Sequence, residues 1–288
     1  MNGIINVLKP PGMTSFEVVS YIRKASGIKK VGHTGTLDPG AAGVLPVCLG
    51  KATKIVDYLM NDKKTYIAEI FFGNITDTLD RYGKRLLCSD ITACIKLSDF
   101  EEVLSKYKGE ILQKPPAYSA LKVNGKRAYE LARKGEEVDL NLRKVTIYDI
   151  EILNFKPPYA MIKIVCSKGT YIRSLCRDIG SDIGCPSFMN FLLRTSTGNF
   201  NLQNSHFLSE ISKHTINNVI ENTEMALNMN SVYVDCELAA KVLNGNSVPL
   251  KINNIKNNEI VKIFIKPDTF TAIGKIQNGI LHVEKLLV

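Results

Sequence analysis

The 288-residue chain has no tryptophan, only four histidines, and no Cys-x-x-Cys pair among its seven cysteines. The cysteines, at positions 48, 88, 94, 166, 176, 185 and 236, are odd in number, which argues against a disulfide framework. None of the histidines has a ligand-spaced partner, so His33 is not expected to bind zinc and no metal site is expected anywhere. The glycines form neither a dinucleotide fingerprint nor a phosphate-binding loop, because their spacing is wrong and no Gly-Lys-Ser/Thr follows them. There is no apolar run of about 18 residues and no amino-terminal signal pattern, so neither membrane insertion nor secretion is expected. These absences lead to the expectation of a reduced, cytoplasmic protein.

Acidic residues are also in deficit. The chain carries 28 Asp+Glu against 37 Lys+Arg, a formal net charge of +9, which favours a polyanionic partner such as nucleic acid. The lysines are spread along the chain, a distribution that suits an extended groove better than a basic tail. With 45% hydrophobic and 23% charged residues, the composition is that of a folded globular protein. The length suits one large domain or a larger and a smaller one.

Residues 31–46 read Val-Gly-His-Thr-Gly-Thr-Leu-Asp-Pro-Gly-Ala-Ala-Gly-Val-Leu-Pro. Asp-Pro-Gly is a turn signal by itself, since proline presets φ and glycine accepts the dihedrals that follow. A structural turn would explain Asp38 alone. It does not explain the surrounding density of Gly32, Gly35, Gly40 and Gly43, the polar run His33, Thr34 and Thr36, or the apolar anchor from Val44 to Leu49.

Other segments read locally. Gly3–Leu8 is a short strand, and Thr14 with Glu17 forms a capping box for a helix through about Ala25. Ala52, Ile55, Val56 and Leu59 recur at helical spacing, and Tyr66 shares a strand face with Ala68, Ile70 and Phe72. Thr76–Asp80 is a polar loop in which Asp80 alone reads as a solvated turn residue. Asn124-Gly125 signals a hairpin, with Lys122, Lys126, Arg127, Arg133 and Lys134 set among Tyr118 and Tyr129. That mixture suits folded RNA, as basic side chains meet phosphates and rings stack on exposed bases. Tyr159–Ser167 alternates as a strand, and Thr170 is placed to cap a helix with Ile172, Leu175, Cys176 and Ile179 as its buried stripe. Arg173 lies off that stripe in the first turn, where a cation opposes the helix dipole and calls for an anionic partner. Asparagines cluster around 217–230, before a last unit with a helix near Cys236–Leu243 and a hairpin at Asn278-Gly279.

His-Thr-Gly-Thr-Leu-Asp-Pro followed by Gly-Val-Leu-Pro resembles the catalytic motif of the TruB-type tRNA pseudouridine synthases. Lys9-Pro10-x-Gly12-x-Thr14-Ser15, Lys168-Gly169-Thr170-Tyr171-Ile172-Arg173 and Phe191-Leu192-Leu193-Arg194-Thr195 resemble three further blocks of that family, in the same order. The chain departs from the commonest family form at Gly40 and Ala42, where a larger apolar residue and a threonine are usual.

The resemblance implies an α+β fold with a mostly antiparallel mixed sheet and a central catalytic cleft. It implies a catalytic domain over 1–228 and a small β-rich, PUA-like RNA-binding domain over 229–288, with 113–138 gripping the tRNA T-loop. The implied reaction is isomerisation of uridine 55 to pseudouridine without a cofactor, with Asp38 as the catalytic carboxylate and Arg173 paired to it. Tyr66 would stack on the uracil or assist removal of its C5 proton. His33 and Tyr171 would shape the pocket, Leu192 would wall it, and Asp80, Lys9 and Arg194 would support it. The partner is tRNA, with no obligatory protein partner and no membrane. A carboxylate suits this chemistry either as a nucleophile at C1′ or as a base at C2′. The alternatives are a non-catalytic RNA-binding or tRNA-folding protein on the same scaffold and a synthase that depends on a guide RNA.

Overall fold

A computed structural model describes residues 1–88, 95–123, 125–249 and 256–288. Cys94 and the turn residue Asn124 lie outside the described residues, although the two short strands that Asn124-Gly125 would join, Lys122–Val123 and Lys126–Arg127, do pair antiparallel.

The main sheet has ten strands. Its path runs from His206–Phe207 through Gly3–Lys9, Ala42–Leu49, Ser187–Thr197, Lys64–Phe72, Tyr159–Cys166 and Arg143–Lys156 to Gly109–Gln113, with Val31–His33 and Phe200–Asn201 attached at the side. Most neighbours are antiparallel. Two are parallel: His206–Phe207 on Gly3–Lys9, and Ser187–Thr197 on Ala42–Leu49. The second of these joins the two halves of the sheet through only two registered pairs, Leu193 with Ala42 and Arg194 with Gly43.

The sequence pattern of each strand follows from what covers it. Lys64–Phe72 alternates buried and half-buried residues along its length. Its fully buried face shares one apolar core with helices Ser15–Ser26, Leu97–Lys106 and Ile172–Ile183, with Phe72 and Phe100 meeting edge to face. Gly3–Lys9 and Ala42–Leu49 are buried almost throughout, because both faces are covered. Ile5, Val7, Leu45 and Val47 face the helices, while Ile4, Val44 and Cys48 face a second cluster with Ala52, Ile55, Phe200, Leu227, Ile273 and Leu287. A strand covered on both sides reads as a continuous apolar run. Each large apolar side chain so buried contributes roughly 1.5–3 kcal/mol.

Ile273 and Leu287 belong to the carboxy-terminal unit. It is a five-stranded sheet ordered Ser231–Val234, Ile260–Ile265, Thr269–Gln277, Ile280–Leu286 and Val248–Pro249, accompanied by helix Cys236–Leu243. Asn278 and Gly279 both have positive φ, 52° and 77°, as a two-residue hairpin turn requires. Lys54 Nζ donates to the Leu286 carbonyl at 2.6 Å and the Tyr58 hydroxyl to Glu284 at 2.7 Å, tying this sheet to the back of the first.

The capping box is present: Thr14 Oγ1 accepts from Glu17 N and the Glu17 carboxylate accepts from Thr14 N. Two local expectations are corrected. The helical spacing at 52–59 forms 3-10 turns over Gly50–Ile55 and a single α turn over Val56–Leu59. Its buried residues step by three and then by four, Ala52 to Ile55 to Leu59, which suits that succession. Thr170 does not cap the next helix; its hydroxyl donates to the Ser167 carbonyl across the Lys168-Gly169 turn. Tyr171 is the N-cap residue, and its main chain is held on both sides by the Gln113 side chain, at 2.8 and 3.0 Å.

Candidate active site

The Asp38 turn lies directly before the strand that joins the two halves of the sheet, and it is held from three directions. Ala41 N closes the turn on the Asp38 carbonyl at 3.0 Å, and Gly12 N donates to the Pro39 carbonyl at 2.8 Å. Ser15 Oγ both donates to the Leu37 carbonyl and accepts from Leu37 N, at 3.1 and 2.9 Å. Lys9 is fully buried beneath the turn and spends its three ammonium protons on the carbonyls of Pro10, Pro39 and Ala41. Arg194, also buried, donates from Nε to the Val44 carbonyl at 2.7 Å and from Nη2 to that of Gly35 at 3.0 Å. The backbone around Asp38 is therefore fixed by side chains far apart in sequence.

The carboxylate itself is 36% exposed and faces an arginine that is 6% exposed. Arg173 Nε lies 2.9 Å from Asp38 Oδ2 and Nη2 lies 3.2 Å from Oδ1, a two-pronged contact. Its remaining donors reach the carbonyls of Thr78 at 2.9 Å and Tyr118 at 2.8 Å. Asp80 Oδ2 stands 3.9 Å from Nη1, so a second carboxylate shares the guanidinium. The cation in the first turn of helix Ile172–Ile183 has the anionic partners that its position called for. Although it stands off the apolar stripe, Arg173 is buried, because it joins the Asp38 turn, the Thr76–Asp80 loop and the Tyr118 segment. A planar fork of five donors can serve these acceptors at once, whereas an ammonium could not.

Asp80 is corrected from a solvated residue to a partly buried one. Its Oδ1 accepts from Thr78 Oγ1 at 2.7 Å and from Tyr82 N at 3.0 Å, while Leu79 takes a positive φ of 61°. Next to it, the ring of Tyr82 lies against Gly40, in the space a side chain there would fill.

Tyr66 is buried on the strand beside Arg194, its register partner, and Leu192 pairs with Ala68 one step along the same face. Burial pushes the Tyr66 hydroxyl above the ordinary tyrosine range, partly offset by the Arg194 charge, so it is a neutral phenol. Burial likewise raises Tyr171. Burial and then Arg194 lower His33, which is thereby held neutral, and its Nδ1 accepts from Gly35 N at 3.2 Å. Among the described residues the hydrogen bonds to the Asp38 carboxylate come from Arg173, and none comes from His33, Tyr66 or Tyr171. Two contributors escape a reading of the sequence, Gln113 as the clamp on Tyr171 and the carbonyls of Thr78 and Tyr118, and so does the burial of Lys64. Lys64 donates to the carbonyls of Met60 and Asp62. None has a sequence signal, since a lone glutamine, a carbonyl or a lysine in a strand looks ordinary.

Burial lowers Lys9 from 10.5 to about 8, against the opposing pull of Asp38. Between those two values the unfolded chain binds the proton and the folded chain does not, so stability due to Lys9 rises with pH across that window. Below about pH 8 the full cost of burying the ammonium is present. Urea unfolding of wild type and Lys9→Met should show the difference moving in favour of wild type between about pH 8 and pH 10. A difference that moves the other way contradicts the burial of this charge.

Comparisons with known proteins identify the family and the fold. Residues 23–172 match the family described as TruB family pseudouridylate synthase (N terminal domain). The chain is 46% identical to the tRNA pseudouridine synthase B of Clostridium novyi (strain NT) and 47% to that of Clostridium tetani (strain Massachusetts / E88), over 100% of each chain in both cases. Among solved structures, one described as an H/ACA RNP bound to a substrate RNA containing 2′-deoxyuridine aligns with a TM-score of 0.77 at 26% identity. It covers 99% of this chain and 85% of the other. A Cbf5-Nop10-Gar1 complex aligns with a TM-score of 0.76 at 28% identity, with the same coverage. With a buried arginine gripping the aspartate of its His-Thr-Gly-Thr-Leu-Asp-Pro loop on a pseudouridine synthase fold, the chain belongs to the TruB family of pseudouridylate synthases.

Proposed function

We propose that this tRNA pseudouridine synthase acts on uridine 55 of the T-loop, with Asp38 as the catalytic carboxylate. The observation that carries the reading is the two-pronged Arg173–Asp38 contact at a partly open carboxylate. A catalytic anion has to be charged, oriented and reachable; this contact supplies orientation and a complementary charge while leaving the carboxylate accessible. In the reaction the N1–C1′ bond breaks, the uracil turns, and a C5–C1′ bond forms. The proton on C5 leaves and one is gained at N1, so the balance requires no co-reactant.

A stacked T-loop conceals its bases, and the target nucleotide has to be extruded at a cost of a few kcal/mol. Tyr66, Leu192, Tyr171 and His33 would line the pocket that receives it, with Tyr66 against the uracil. As a neutral phenol, Tyr66 is suited to stacking and to passing on a proton rather than to acting as a phenolate base. Lys9, Arg194 and Asp80 act on the geometry of Asp38 and Arg173 and not on the nucleotide. The exposed cations Lys122, Lys126, Arg127, Arg133 and Lys134 would meet the phosphates of the T-arm, which assigns the RNA grip to 113–138. Within this reading, 1–228 forms the catalytic domain and 229–288 a PUA-like domain adding RNA contacts. The protein works in the cytoplasm, where its substrate is, and as a single chain without an obligatory partner protein.

The test is tritium release from C5-labelled uridine in an unmodified tRNA transcript, using the purified protein alone. Release of one equivalent per tRNA, lost when uridine 55 is replaced by cytidine, is the expected result. Tight tRNA binding without release would favour the tRNA-folding reading or a guide-dependent one.

A further inference from the structure

We propose that Tyr82 is a positioning residue for RNA, an aromatic platform on which a base neighbouring the extruded uridine stacks. The proposal deepens the reading above and rests on it.

Tyr82 is 66% exposed, although its ring sits against the tightly bonded Asp38 turn. Its place is set in part by Asp80, one of the two carboxylates that share Arg173. The backbone N–H of Tyr82 donates to Asp80 Oδ1 at 3.0 Å, and Arg81 N is held by the Met189 carbonyl at 3.1 Å. The ring lies on Gly40, two residues after Asp38, so closely that a Cβ at Gly40 would collide with it, its Cδ2 and Cζ both lying at 2.8 Å. One part of the ring is thus seated on the Asp38-Pro39-Gly40 turn and the rest faces solvent. The Arg81 guanidinium carbon is 5.8 Å from the ring centroid, at the outer limit of a cation–π contact, and brings a positive charge to the same spot.

Packing on Gly40 uses only part of a tyrosine that is 66% exposed, and a smaller residue would make the same backbone bond to Asp80. A flat apolar face next to a reachable catalytic carboxylate and an arginine suits an unstacked nucleotide, which needs a π-surface and a counter-charge for its phosphate. Extruding one nucleotide removes a stacking partner from each of its neighbours. A ring fixed at the lip of the site offsets that loss at the moment it occurs, and so strengthens binding of the opened loop.

The test uses the full-length protein and unmodified tRNA, comparing wild type with Tyr82→Ala and Tyr82→Phe. Removing a base-stacking ring should raise Kd and KM by roughly 5- to 100-fold, with kcat at saturating tRNA changing less than about twofold. Tyr82→Phe should restore both, because the face and not the hydroxyl is used. In a parallel measurement, 2-aminopurine is placed in turn on each side of the target uridine. Its fluorescence should be quenched on binding wild type and Tyr82→Phe in one of the two positions, and not on binding Tyr82→Ala. A fall in kcat with Kd unchanged would mean that the ring only packs the Gly40 turn, and would overturn the proposal. Unchanged Kd and quenching in Tyr82→Ala would overturn it as well. If wild type binds tRNA but releases no tritium, the functional reading fails first, and the fluorescence measurement still reports on the ring.

Discussion

Asp38→Asn should abolish pseudouridine formation, lowering the single-turnover rate by roughly 10⁴-fold or more, while leaving tRNA affinity within about threefold of wild type. The substitution changes almost nothing in volume. It removes the negative charge that either chemical route needs, and it places an amide opposite Arg173 Nε, where one prong of the contact becomes donor against donor. The guanidinium keeps its bonds to the Thr78 and Tyr118 carbonyls, and the turn keeps Lys9, Ser15 and Arg194. The variant should therefore fold, and the loss can be read as chemistry. Filter binding and tritium release on the same preparation make the separation. An Asn variant retaining more than about 1% of wild-type activity would remove Asp38 from the catalytic role.

Gly43→Ala should be the most damaging single-methyl change in the chain, costing more than about 4 kcal/mol or preventing folding altogether. Gly43 has φ of 120°, a region that L side chains rarely adopt, and its Cβ would collide with the main chain of Arg194, whose N and C lie at 2.7 and 2.9 Å. Backbone cannot swing aside as a side-chain tip can. Relief requires parting the Arg194–Gly43 pair, one of the two that join the halves of the main sheet, and with it the buried arginine bonded to Val44 and Gly35. Gly184→Ala is the matching control. It also has positive φ, 79°, at a helix C-cap, but nothing lies within 4 Å of its would-be Cβ, so the cost should be about 1–2 kcal/mol of backbone strain alone. Urea unfolding of the two variants separates strain from collision. Equal midpoints for both would contradict the close approach at Gly43.

Much of the site was legible because family motifs and local chemistry coincide there. Asp38 announced itself by the density of glycine and proline around it, and Arg173 by a charge in the wrong place on a helix. The roles proposed for Tyr66 and Leu192 come only from the resemblance, since a tyrosine in an alternating strand and a leucine in an apolar one look like core. Asp80 was undervalued, because a carboxylate in a polar loop carries no sign that a buried guanidinium will stand 3.9 Å away. The helix start was displaced from Thr170 to Tyr171 for a similar reason: the Gln113 side chain, 58 residues earlier, takes both main-chain groups of Tyr171.

What the sequence alone determined is what depends on residues near one another in the chain. That covers the capping box at Thr14 and Glu17, the alternation of Lys64–Phe72, the Asn278-Gly279 turn, the excess of positive charge and the motif loop around Asp38. Tertiary structure decided which of those pieces face each other. The Arg173–Asp38 contact spans 135 residues, the Arg194–Val44 bond 150 and the Lys9–Ala41 bond 32. The seating of Tyr82 on Gly40 is of the same kind. Local patterns record backbone preference and the side that will be buried. The partner of a buried charge is chosen by the register of strands distant in sequence, and no local pattern carries that information.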